Sequence, residues 1–156
     1  MFFRIAFANS LGDYHLICPT LLFLEELAAA TQHSTNTSFY SYRLEQHMSD
    51  PLLPIPYSPW MGVLHGEDLN YLFGVPFQHR AEERQLSADM ISAWSTFART
   101  GHPGEMGGRQ WSGALDRADH HQPSTRFMYL KAGQYRMVDN FTRENCDVFW
   151  RPKLVR

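Results

Sequence analysis

The chain has 156 residues, of which 44% are hydrophobic and 14% aromatic, which is enough for one domain with a moderate core and too apolar for a disordered or low-complexity segment. Its 14 basic and 16 acidic residues leave a formal charge of -2. They are scattered rather than clustered, so a nucleic-acid or anionic-membrane footprint is excluded. No apolar run approaches the roughly 18 residues that cross a bilayer, and Met1 to Ala8 turns polar too soon for a secretory leader.

In chain order, the apolar residues from Phe2 to Phe7 lead into Ala8-Asn9-Ser10-Leu11-Gly12, one residue short of a G-x-S-x-G elbow. That motif exposes a serine on a sharp strand-to-helix turn. Here its first glycine is alanine, and the strands, acid and histidine of a full hydrolase do not fit between residue 1 and His65, so Ser10 is set aside as a nucleophile. Pro19 then opens a helix to about Thr31, with Leu and Phe at helical spacing. Polar residues 32–38 read as a surface loop before an aromatic-rich strand over Phe39 to Leu44.

Pro51, Pro54, Pro56 and Pro59 make an irregular approach to Trp60-Met61-Gly62-Val63-Leu64-His65-Gly66. A short helix carrying Leu69, Tyr71, Leu72 and Phe73 follows, stopped by Gly74 and Pro76. The clearest helix runs from Glu82 to Arg99: Leu86, Met90, Ile91, Trp94, Phe97 and Ala98 form one stripe. Thr100-Gly101-His102-Pro103 ends it, Gly104 to Gly108 reads as a flexible loop, and Trp111 begins a polar connection. Two strands, Phe127 to Leu130 and Tyr135 to Val138, flank Ala132-Gly133 as a hairpin, and a last helix passes through Cys146 to Trp150 towards Arg156.

Three features bear on chemistry. His65 lies between an apolar run and a glycine, directly before a helix start, where a general base reaches a buried nucleophile and still exchanges protons; seven other histidines occur, and a solvated side chain is the competing reading. Cys18 and Cys146 are 128 positions apart (146 − 18). They are either a bridge closing both ends of the domain in an oxidising compartment or two unrelated buried thiols. Asn36-Thr37-Ser38 and Asn140-Phe141-Thr142 are glycosylation sequons, at Asn36 and Asn140. Metal spacing is absent: His120-His121 lacks partners, His15 and Cys18 stand alone, and neither H-E-x-x-H nor C-x-x-C occurs. No cofactor is expected, since neither a P-loop nor G-x-G-x-x-G is present.

Five stretches taken together carry a resemblance: Gly12 to Pro19, Trp60 to Gly66, Tyr71 to Pro76, Trp94 to Pro103 and Cys146 to Trp150. In order and spacing they resemble the C-terminal quarter to third of the type-B carboxylesterase family, and the W-M-G-V-L-H-G form is similar to its cholinesterase branch, nearest the invertebrate acetylcholinesterases. The resemblance implies an α/β class, with residues 1–156 the C-terminal portion of an α/β-hydrolase domain: an incomplete central sheet, covering helices and a C-terminal hairpin, the N-terminal part being absent.

It further implies that His65 is the histidine of a Ser-His-Glu triad, that Cys18 and Cys146 are disulfide-bonded, and that Tyr57, Met61, Leu64 and Glu67 line the substrate side for a choline ester. Tyr57 stands where cholinesterases usually carry tryptophan, and Glu67 where many carry tyrosine or aspartate. The serine, oxyanion hole and triad acid would precede residue 1, so the chain alone is expected to be inactive. Helices that cover missing strands would then expose apolar faces, as along Leu86 to Ala98. Secretion or cell-surface placement, a homodimer through the C-terminal helix, and membrane anchorage by a further tail are the implied partners and location. Rival readings are a non-catalytic, neuroligin-like adhesion ectodomain, a general carboxylesterase, and a short binding protein.

Overall fold

The structure, a computed structural model, describes residues 2–31, 37–49, 56–78, 80–116, 124–139 and 144–155. Asn36 and Asn140 lie outside them. In chain order, helix α1 (Phe2–Gly12) continues through a π-helical stretch, Asp13–Ile17, into α2 (Cys18–Ala30), followed by strand β1 (Tyr42–Leu44), helix α3 (Glu67–Leu72) and helix α4 (Ala81–Thr100). Short strands β2 (Glu105–Met106), β3 (Arg109–Gln110) and β4 (Leu115–Asp116) precede the longer β5 (Ser124–Lys131) and β6 (Gln134–Asp139). A second π-helical stretch, Asn145–Trp150, runs into α5 (Arg151–Leu154).

The chain forms two compact units, one of residues 1–39, 113–126 and 139–156, the other of residues 40–112 and 127–138. In the first, Cys18 at the start of α2 is disulfide-bonded to Cys146, as the resemblance implies. The Arg151 guanidinium donates to Glu25 and to Asp147, both at 2.7 Å. Tyr14 and Trp150 pack ring against ring at 5.2 Å. Ser10 sits inside the continuous helix α1, so no strand-to-helix elbow forms there. That helix keeps Phe2 and Phe3 80% and 86% exposed.

The second unit holds the larger core. Helix α4 starts after an extended Arg80, has Glu82 and Glu83 in its first turn where acids favour the positive helix end, and stops at Gly101. Gly101 has φ +76 and its N–H reaches the Phe97 carbonyl at 2.8 Å, a left-handed ending that glycine adopts without strain. Strand β1 pairs parallel with β5, Tyr42 opposite Met128 and Leu44 opposite Leu130, and β6 pairs with β5 across the Ala132-Gly133 turn. A partly parallel sheet with helices is the α/β class expected. The α4 stripe lays Leu86, Met90 and Ala93 against Met128, Leu130, Met106 and Trp111 in one buried cluster. The expected exposed face along Leu86 to Ala98 is therefore largely covered, and only its end stays open, with Phe97 half-exposed.

Two further readings change. The glycine-rich stretch is not a loose loop: β2 and β3 pair antiparallel, Met106 opposite Arg109, with Gly107 and Gly108 both at positive φ as a two-residue hairpin turn requires. Trp111 does not begin a polar connection but is buried in the core.

Candidate active site

His65 owes its place to the turn around it. Pro59–Met61 forms a single 3₁₀ turn closed by the Met61 N–H on the Ser58 carbonyl at 2.9 Å. Gly62 then takes φ +68 with ψ -145, a region open to glycine alone, and redirects the chain. From Leu64 the backbone closes a second turn, Glu67 N–H to the Leu64 carbonyl at 3.2 Å, and Gly66, at φ +85, serves as the N-cap of α3. The His65 side chain projects from the middle of this turn and is exposed. Among the described residues none hydrogen-bonds its ring.

Glu67, the first residue of α3, is only 5% exposed. Burying a carboxylate is costly unless it is paired and hydrogen-bonded, and this one is. Its Oε1 accepts from the Leu64 backbone N–H at 3.3 Å and from His47 Nδ1 at 2.6 Å, and its Oε2 accepts from the Met48 N–H at 3.2 Å. An ionised carboxylate only accepts, so the His47 Nδ1 carries the proton in this pair. The His47 ring stacks on Tyr57, centroids 3.5 Å apart and planes within 11°. One connected chain of contacts therefore runs from Tyr57 through His47 and Glu67 to the backbone N–H of Leu64, the residue before His65.

A second buried acid holds the next residue of the same segment. Glu83 on α4 accepts from both the N–H and the hydroxyl of Ser49. Tyr71, one helical turn after Glu67, is fully buried. Burial, with the charges of Glu83 and then Glu67, pushes its phenol well above the ordinary tyrosine value. Tyr42 is raised in the same direction by burial and by its hydrogen bond to Asp68, its hydroxyl donating at 2.6 Å.

Of the residues singled out from sequence, the structure joins Tyr57 to Glu67 through His47 and Leu64 to Glu67 directly, and places Met61 half-buried at the head of the same loop. Tyr57 is 37% exposed, whereas the Glu67 carboxylate is turned onto the chain's own amides. His47 and Glu83 were not singled out from sequence. Their partners are 20 and 34 positions away, and no local period announces a contact of that range.

The same elements match known proteins. Residues 2–150 match the carboxylesterase family. The chain belongs to that family. It is 30% identical over 97% of its length to an acetylcholinesterase of Bungarus fasciatus, 34% over 98% to a cholinesterase of Mus musculus, and 35% over 97% to an acetylcholinesterase of Gallus gallus. Those matches take up 24%, 24% and 19% of the relatives' own lengths, so the chain spans about a quarter or less of each. The matched residues include the W-M-G-V-L-H-G turn, the Cys18–Cys146 disulfide and the partly parallel sheet.

Proposed function

We propose that this chain is part of a serine carboxylic ester hydrolase of cholinesterase type, in which His65 is the histidine of a Ser-His-Glu triad. The observation that carries the reading is the built turn at His65: an exposed imidazole on a backbone fixed by Gly62, Gly66 and a buried carboxylate. In that role His65 takes the proton of a serine hydroxyl as it attacks the ester carbonyl, then returns it to the departing alcohol. Tyr57, Met61 and Leu64 are assigned to the alcohol side of the pocket, and a tyrosine face attracts a quaternary ammonium by roughly 0.5–2 kcal/mol. The Cys18–Cys146 bridge fits an oxidising, extracellular setting, in which Asn36 and Asn140 carry glycans.

No G-x-S-x-G sequence occurs in residues 1–156. The nucleophile, the acid and the acyl side of the site are therefore assigned to polypeptide preceding this sequence, and residues 1–156 alone are inactive. The test reads the transcript that encodes them. An in-frame G-x-S-x-G elbow, followed by a triad Glu or Asp roughly a hundred residues before His65, supports the esterase. A continuous upstream frame whose elbow has lost its serine refutes it and leaves the adhesion reading.

A further inference from the structure

Resting on the esterase reading of His65, we infer that Glu67 is the positioning residue for that imidazole, and that His47 is the lock that keeps Glu67 in place. Leu64, the residue immediately before His65, has both of its backbone polar groups held by one residue. Its N–H is held by the Glu67 carboxylate at 3.3 Å and its carbonyl by the Glu67 N–H at 3.2 Å. The N–H belongs to the Val63–Leu64 peptide and the carbonyl to the Leu64–His65 peptide; each unit is planar, so holding one polar group of each restrains the two planes that flank Leu64 and, through the second, the position of the His65 Cα. Beyond His65 the Gly66–Glu67 peptide is held at both of its polar groups, its N–H on the Leu64 carbonyl and its carbonyl accepting from the Leu69 N–H at 3.1 Å.

Glu67 can do this only if its own side chain does not rotate. Three contacts prevent that: the Leu64 amide, the Met48 amide at 3.2 Å and the His47 ring at 2.6 Å. His47 is itself pinned by its stack on Tyr57 and leaves its side chain 24% exposed, with Nδ1 committed to the carboxylate. Met48 is fully buried, so the amide that anchors Oε2 belongs to the core and not to a mobile loop. The grip on His65 is thereby tied to the hydrophobic centre of the unit. An apolar side chain at position 67 could fill the same space but could accept neither the Leu64 nor the Met48 N–H.

A proton carrier must sit within a few tenths of an ångström of its working position, and a misplacement near 1 Å costs about 100-fold in rate. Glu67 touches no reacting atom in this scheme. Its loss therefore lowers turnover while leaving ester binding nearly as it was.

The experiment uses the longest natural polypeptide containing these residues, with histidine ring nitrogens labelled so that the His65 imidazole is seen directly by nuclear magnetic resonance. Glu67→Ala is expected to lower kcat about tenfold to a hundredfold with KM within about threefold, and to broaden and shift the His65 ring signals. Glu67→Gln keeps one acceptor and His47→Gln keeps the carboxylate, so both serve as milder variants should Glu67→Ala fail to fold, and each is expected to lower kcat by about threefold or more. Tyr135→Phe, which deletes the Tyr135–Asp89 hydrogen bond of the same unit, serves as the structural control and leaves kcat and the His65 signals unchanged. Unaltered kcat and unaltered ring signals in Glu67→Gln and His47→Gln overturn the inference. If the parent shows no ester turnover, or His65→Ala leaves it intact, the esterase reading fails instead, and the ring signals of the Glu67 and His47 variants still decide whether these residues position His65.

Discussion

Replacing both Cys18 and Cys146 with serine removes the tie between the start of α2 and the C-terminal helical segment. The bridge closes a loop of 128 positions, for which the chain-entropy relation gives a stabilisation of about 5 kcal/mol. What remains between the same segments is weaker. The Arg151–Glu25 pair is partly exposed and contributes about 0.2–1 kcal/mol, and the Tyr14–Trp150 ring pair adds about 0.5–1.5 kcal/mol. These cannot replace the covalent link. Urea unfolding of the 156-residue chain, extrapolated linearly to water, should show the double serine variant less stable by about 4–5 kcal/mol, whereas Arg151→Ala should cost less than about 2 kcal/mol. A loss below about 1 kcal/mol in the double variant, or a larger loss from Arg151→Ala, refutes the reasoning.

Met90 is fully buried on α4, and Met90→Ala should destabilise by about 2–5 kcal/mol in the same denaturation assay, while Phe97→Ala on the exposed end of the stripe should cost about 1 kcal/mol or less. Stability should also fall in alkali. Burial, then the neighbouring acids, raises the Tyr71 and Tyr135 phenols above the ordinary value near 10. Above about pH 10 the unfolded chain releases these protons and the folded chain keeps them, so stability is full below that pH and declines as pH rises past it. Tyr135→Phe should flatten the alkaline slope of the unfolding free energy; an unchanged slope would mean Tyr135 ionises freely in the fold.

Much of the fold was legible because its signals are local. The 3.6-residue stripe from Leu86 to Phe97 and the glycine after Thr100 place α4 within a residue or two. The Ala132-Gly133 turn between two β-rich runs places the β5–β6 hairpin, with Gly133 at φ +69. Two glycines in sequence at 107–108 were ambiguous, since the same pair serves a loose loop and a tight hairpin, and only the pairing of Met106 with Arg109 decides. The covering of the α4 stripe by Met106, Trp111, Met128 and Leu130 could not be read from α4 itself, because those partners come from distant strands and turns. The site divides the same way. His65 and its glycines show in the motif, while the His47–Glu67 clamp rests on a contact across 20 positions between a residue after β1 and the first residue of α3.

The most direct measurement is ester turnover by the longest natural polypeptide containing residues 1–156, compared with its His65→Ala variant at matched folding. The account predicts that the parent hydrolyses a choline ester and that His65→Ala lowers kcat by about 10⁴-fold or more, as loss of a member of a cooperating triad does. Turnover by the variant within about tenfold of the parent would contradict it.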